Sequence, residues 1–185
     1  LTCDICIPVC PNDANFSLRI PEGSLPILKA RQVQDGWRCE EEGTLPLAQK
    51  HQIATFADFC NACGNCDVFC PEDGGPYVVK PHFFGHLEDW RQEKDEDGFH
   101  VFQEGETQII LGRFEGIEYR LDSEADRREF SGPGFHLFFY SSDPAGTLRG
   151  EGPAEVDLTY ALIMDLLLRA ILDRSHINYL NTEIQ

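Results

Sequence analysis

The chain has 185 residues, 42% of them hydrophobic, and its 15 Lys and Arg against 32 Asp and Glu give a formal net charge of -17. That length supports one ordinary domain and a small companion, folded on a core rather than on disulfide staples. The acidic balance excludes nucleic acid as a partner and favours a basic patch on another protein. No basic-then-apolar leader is present, and no apolar run is long enough to insert into a membrane.

Taken in chain order, residues 1–20 open with Cys3-Asp4-Ile5-Cys6-Ile7-Pro8-Val9-Cys10-Pro11 and continue into strand-like Asn15 to Ile20. Pro21 to Lys50 reads as an insertion in which Leu25 to Val33 and Trp37 to Cys39 flank Asp35-Gly36, a hairpin signal. Residues 51–85 repeat the opening pattern: Cys60, Cys63, Cys66, Cys70 and Pro71 precede a second strand-like stretch, Tyr77 to Lys80. The segment 86–97 reads as a charged linker or exposed helix, with eight ionisable residues among the ten from Glu88 to Asp97.

Beyond Gly98, short apolar and β-branched runs separated by turn residues predict strands over Phe99 to Phe102, Thr107 to Phe114, Ile117 to Leu121 and Phe135 to Tyr140. Glu155 to Asp173 reads as a mostly buried helix whose charges, Asp157, Asp165, Arg169 and Asp173, fall on one narrow stripe. The last dozen residues stay open between coil and an edge strand. The expected fold class is α+β: a ferredoxin-like two-cluster domain over 1–85 with a hairpin inserted at about 21–50, the linker, and a small antiparallel sheet with a packed C-terminal helix over 98–185.

The cysteines carry the chemistry. Seven of the eight lie in two tight runs, too close in sequence for a spread disulfide framework, which points to a reducing, cytoplasmic setting. Cys-x-x-Cys-x-x-Cys wraps three thiolates around one corner of a cubane cluster. The fourth cysteine, followed by proline, ligates the other cluster in two-cluster ferredoxins. Small residues at Ala62, Gly64 and Asn65 suit a close approach of backbone to an inorganic core.

Under that crossing rule one 4Fe-4S cluster takes Cys60, Cys63, Cys66 and Cys10, a complete set. The second takes Cys3, Cys6 and Cys70 and is one ligand short. The expected fourth ligand is a cysteine just upstream of Leu1, in a protein that extends beyond this leucine start. Cys39, on the inserted hairpin, is an alternative ligand, and a three-iron or non-cysteine-ligated cluster is a third reading. Zinc is the competing metal for Cys-x-x-Cys pairs, but one tetrahedral ion needs only two separated pairs.

Other residues fill supporting parts. His82 and His86 stand four apart but span Gly85, a poor chelating pair. Phe56, Phe59, Phe69 and Tyr77 are expected to exclude water around the clusters. Asp58, Glu72 and Asp73 read as solvated charges that can join a docking face. No dinucleotide fingerprint, phosphate loop or nucleophile elbow appears, so no substrate-converting site is evident and no catalytic residue is assigned.

The second run in its setting, Phe56-Ala57-Asp58-Phe59-Cys60-Asn61-Ala62-Cys63-Gly64-Asn65-Cys66-Asp67-Val68-Phe69-Cys70-Pro71-Glu72-Asp73-Gly74-Gly75-Pro76-Tyr77, resembles the carboxy-terminal ferredoxin-type region of the selenate reductase YgfK-type iron-sulfur flavoprotein family. Cys6 to Asn15 looks like that family's first motif. The resemblance covers residues 1–20 and 51–85; it is weak over the β-rich tail, and Pro21 to Lys50 departs from it. It implies preceding domains, similar to the small chain of glutamate synthase, that bind FAD and a nicotinamide dinucleotide, NAD(P). It also implies a cysteine-rich stretch ahead of Cys3.

The function expected is therefore a relay of single electrons through two 4Fe-4S clusters. The partners would be a flavin-containing oxidoreductase domain or subunit and a second redox protein. A structural or redox-sensing iron-sulfur module is the alternative.

Overall fold

The computed structural model describes residues 3–49, 51–71 and 73–183. A helical turn α1 (Cys6–Val9) leads into β1 (Asn15–Arg19), followed by the long hairpin β2 (Gly23–Val33) and β3 (Gly36–Leu47), then β4 (His51–Phe56). The second cysteine run forms α2 (Asn65–Phe69), and α3 (Pro76–Val79) precedes the three-residue strand β5 (His82–Phe84) and the short helix α4 (Leu87–Gln92). There follow β6 (Gly98–Glu104), β7 (Thr107–Phe114), β8 (Ile117–Glu124), β9 (Arg127–Gly132) and β10 (Phe135–Tyr140). The chain ends with α5 (Pro144–Thr147), β11 (Arg149–Glu151), β12 (Glu155–Asp157), the helix α6 (Thr159–Leu172) and α7 (Tyr179–Glu183).

Among the described residues these strands make one mixed sheet of nine, ordered β1-β4-β5-β6-β7-β8-β9-β10-β11, and a second sheet of three, β12-β2-β3. The segment His82-Phe83-Phe84 decides that architecture. It is buried throughout and pairs in parallel on both sides, Phe83 with Phe56 of β4 and with Phe99 of β6. An apolar strand buried on both faces suits parallel pairing inside a sheet. It welds the antiparallel pair β1–β4 to the antiparallel run β6–β11.

This overturns the expected fold class. Among the described residues there is no ferredoxin-like two-cluster domain standing ahead of a separate small sheet. The strands flanking the cysteine runs belong to the nine-stranded sheet, and most helices are only four to six residues long. Two local expectations fail with it. Of Tyr77 to Lys80, the residues up to Val79 are helical because Pro76 supplies a preset N-terminal φ after Gly75, whose own φ is positive, and only Lys80 is extended. Glu155 to Asp157 is a strand, paired with Lys29 to Arg31 of β2, and the helix begins only at Thr159.

Helix α6 touches β1, β7 and β8 of the large sheet and β2 of the small one. Its Ala161, Met164, Leu168 and Ile171 are fully or almost fully buried in a common core with Leu28, Ile110, Leu121 and Phe130. Burial of each large side chain contributes about 1.5–3 kcal/mol. Within the charged stripe Asp165 is buried and bonded to Arg128 of β9, whereas Arg169 stays exposed. Among the described residues no helix is long and apolar enough to cross a membrane.

Candidate functional site

The two cysteine runs fold alike because matching residues impose matching backbone. Asp4 and Gly64 precede their helical turns in the same register, and both take positive φ, 58° and 78°. Glycine enters that region without a Cβ clash; Asp4 is held there with its carboxylate 2.9 Å from His51 Nε2. At the other end, Pro11 and Pro71 bar the preceding residue from the helical region. Cys10 and Cys70 therefore leave their turns extended, with ψ of 116° and 132°.

That exit makes the two runs cross. One recess of about 280 Å³ is lined by Cys10 of the first run and by Cys60, Cys63 and Cys66 of the second. The other, of about 410 Å³, is lined by Cys3 and Cys6 of the first run and Cys70 of the second. The first recess presents four thiols and no carboxylate, imidazole or ammonium group among its described lining. The second adds Asp4 and Lys80 to its three thiols. A soft, all-sulfur donor set fits thiophilic iron or an iron-sulfur cluster better than a hard cation. Among the described residues, no three His, Cys, Asp or Glu side chains converge closely enough to hold a single metal ion.

A thin wall separates the recesses, made of buried Cys6, Ile53 and Cys66 with Ile7, Val9 and Tyr77 packed on it. Burial there pushes the Cys6 thiol up to about 11, with Cys3, Cys66 and Cys70 adding to the shift. Cys60 is also raised, first by burial and then by Cys10, Cys66 and Cys63, against an opposing hydrogen bond from the Ala62 N–H. The Ala14 N–H donates to Cys10 Sγ at 3.3 Å. Behind the wall, Asn15 Nδ2 donates to the Cys6 carbonyl at 3.1 Å, and its Oδ1 accepts the Thr55 hydroxyl at 3.0 Å.

Cys39 lines neither recess. It sits on β3 opposite Ala30 and packs, half-buried, against the main core. The ligand expected upstream of Leu1 lies outside the described residues, as does Glu72. Of the four aromatics expected around the cysteines, only Tyr77 lines a recess. Phe56 and Phe59 instead form an aromatic cluster with Tyr179, at ring distances of 4.9 to 5.4 Å, and Phe69 is exposed.

His82 and His86 do not share a site. His82 sits between the Glu96 carboxylate at 3.0 Å and the Tyr77 carbonyl at 2.7 Å, while His86 is exposed, 3.9 Å from Asp58. Asp58 accepts the Gly85 N–H at 3.1 Å and Asp73 is exposed. Sequence reasoning missed Asn15, Ile53 and Thr55, whose place is set by the pairing of β1 with β4. No spacing rule marks them.

No family model matches this chain, and no solved structure matches it. Over 88 residues the chain is 31% identical to the protein named "Putative oxidoreductase YgfK" of Escherichia coli K12. Its counterpart in Escherichia coli O157:H7 matches equally. The match takes in 48% of this chain and only 6% of each relative's length.

Proposed function

We propose that this chain is an electron-transfer element of an oxidoreductase, with two cysteine-lined sites for 4Fe-4S clusters. Cys10, Cys60, Cys63 and Cys66 would hold one; Cys3, Cys6 and Cys70 would hold the other together with a fourth ligand. The observation that carries this reading is the crossed lining: each recess draws its last thiol from the opposite run, as cysteine-proline spacing in two-cluster proteins demands. The similarity to a protein named an oxidoreductase supports a redox role.

The chemistry an iron-sulfur cluster would supply if held by these thiols is one-electron transfer. The chain's own residues do the rest. Their thiols must lose protons to bind iron, so loading releases protons and strengthens with pH. Backbone N–H groups of Ala14 and Ala62 donate to Cys10 and Cys60 sulfurs, which spreads thiolate charge. Tyr77, Ile53 and Val79 give the recesses apolar walls that limit water. The partners proposed are a flavin-containing domain or subunit, carrying FAD and NAD(P), and a second redox protein.

Anaerobic reconstitution with iron and sulfide, followed by electron paramagnetic resonance before and after dithionite, tests the reading. The expected result is about four iron and four sulfide atoms for each filled recess, with signals that appear on one-electron reduction. Stoichiometric zinc without sulfide, or a cluster that dithionite leaves silent, overturns it.

A further inference from the structure

A groove of about 1590 Å³ runs beside both cysteine recesses. It shares Tyr77 with the first recess, and Val79 and Lys80 with the second. Its floor is apolar, from Phe99 and Phe114 of the large sheet to Ile163 and Leu167 of α6. Val78 projects into it with 62% of its surface exposed. The opposite rim is acidic: Asp95, Glu96 and Asp97 after α4, and Glu115 at the β7–β8 turn, are all exposed.

Two classes of occupant suit a large apolar groove beside a redox site: a phosphate-bearing dinucleotide, or a segment of a partner protein. Charge decides between them. Phosphates need cations, and the groove offers little: the buried Arg113 is saturated by the carbonyls of Trp90, Glu93 and Glu96 and by Glu118. Lys80 and His82 then stand against four rim carboxylates, of which Glu96 already meets His82 and Asp97 accepts the Glu115 and Gly116 N–H groups, leaving Asp95 and Glu115 to face a partner. A dinucleotide is repelled, whereas an apolar side chain flanked by Lys or Arg finds both a floor and a complementary rim.

From this we infer that the groove is the docking site of a basic partner protein, which inserts an apolar side chain between lysines or arginines beside the cysteine recesses. The inference rests on the electron-transfer reading above, since it makes the docked protein the electron-exchange partner.

The probe is oxidised cytochrome c, a small basic redox protein whose lysines surround an exposed haem edge. Binding is measured by calorimetry on the anaerobically reconstituted chain at low and high salt. The rim variant Asp95→Lys/Glu115→Lys is expected to weaken binding about tenfold at low salt and to flatten the salt dependence. Val78→Glu is expected to weaken binding at both salt concentrations. The control Asp35→Lys/Glu106→Lys makes the same change in net charge at hairpin turns away from the groove and is expected to move affinity less than twofold.

Equal effects of rim and control variants overturn the inference. So does undiminished binding by cytochrome c with acetylated lysines, or competition from FAD or NADH for the groove. Iron content and the dithionite-reduced resonance signal are read on each sample. A chain that loads iron yet shows no rim effect overturns only the docking site, whereas a chain that takes up no iron overturns the electron-transfer reading and this inference with it.

Discussion

The side-chain amide of Asn15, on the first strand, donates to the carbonyl of Cys6 at 3.1 Å and so ties the nine-stranded sheet to the wall between the two cysteine recesses. Asn15 is 4% exposed, and Thr55 on the neighbouring strand, wholly buried, completes the link. Asn15→Leu leaves the Cys6 carbonyl and the Thr55 hydroxyl without this partner in a dry site. The expected cost is about 1–3 kcal/mol in denaturant unfolding, together with faster loss of iron to a chelator. Unchanged unfolding and iron retention would show that the link is dispensable.

Gly75 has φ of 59° and ψ of 162°, a region that only glycine occupies readily. A Cβ there would lie 2.8 Å from the Asp67 Cα, against backbone that cannot swing aside. Gly75→Ala should push α3 away from α2, destabilising the chain by about 2 kcal/mol or more and lowering iron retention. Equilibrium unfolding and chelator challenge check both.

The Arg128–Asp165 pair joins β9 to α6 through a 2.6 Å hydrogen bond, with side chains only 6% and 8% exposed. Asp165→Leu strands a buried guanidinium and should cost about 3–5 kcal/mol. Arg128→Met should cost less, because Asp165 keeps Arg169 at 3.0 Å. The double variant Arg128→Met/Asp165→Leu should recover most of the loss. A double-mutant cycle in urea measures the coupling, and strictly additive losses would refute it.

Asp157 and Lys29 set a pH dependence. Burial alone would raise the Asp157 carboxyl, but hydrogen bonds from Lys29 and Thr159 outweigh it and hold the group below its ordinary 3.8. A lowered carboxyl stabilises the fold above its unfolded value, and that contribution is lost as pH falls through the folded one. Lys29 is raised above 10.5, first by its hydrogen bond to Asp157. Its share is complete below 10.5 and fades as pH climbs through the raised value. Asp157→Asn should therefore cost about 1 kcal/mol near neutrality, with the gap from the parent chain closing in acid. A gap that is constant with pH would rule out the charge pair as its source.

How much of this was legible in the sequence depends on the range of the signal. Thr107 to Phe114 and Phe135 to Tyr140 match their strands because short apolar runs end at local turns. The cysteine grouping was legible because proline after Cys10 and Cys70 dictates backbone locally. The sheet's continuity was not. It hangs on His82 to Phe84, three residues whose partners are distant in the chain. Arg127–Gly132 hid behind its charges, since Arg128 is buried only because Asp165 waits on α6.

The crossing of the two recesses is tested most directly by the iron and sulfide content of Cys10→Ala/Cys63→Ala and Cys3→Ala/Cys10→Ala, reconstituted beside the single variants. Crossed recesses predict that Cys10→Ala/Cys63→Ala loses no more than either single variant, because both thiols line one recess, and that Cys3→Ala/Cys10→Ala loses the iron of both. The reverse pattern, with both recesses emptied by Cys10→Ala/Cys63→Ala and one spared by Cys3→Ala/Cys10→Ala, would contradict it.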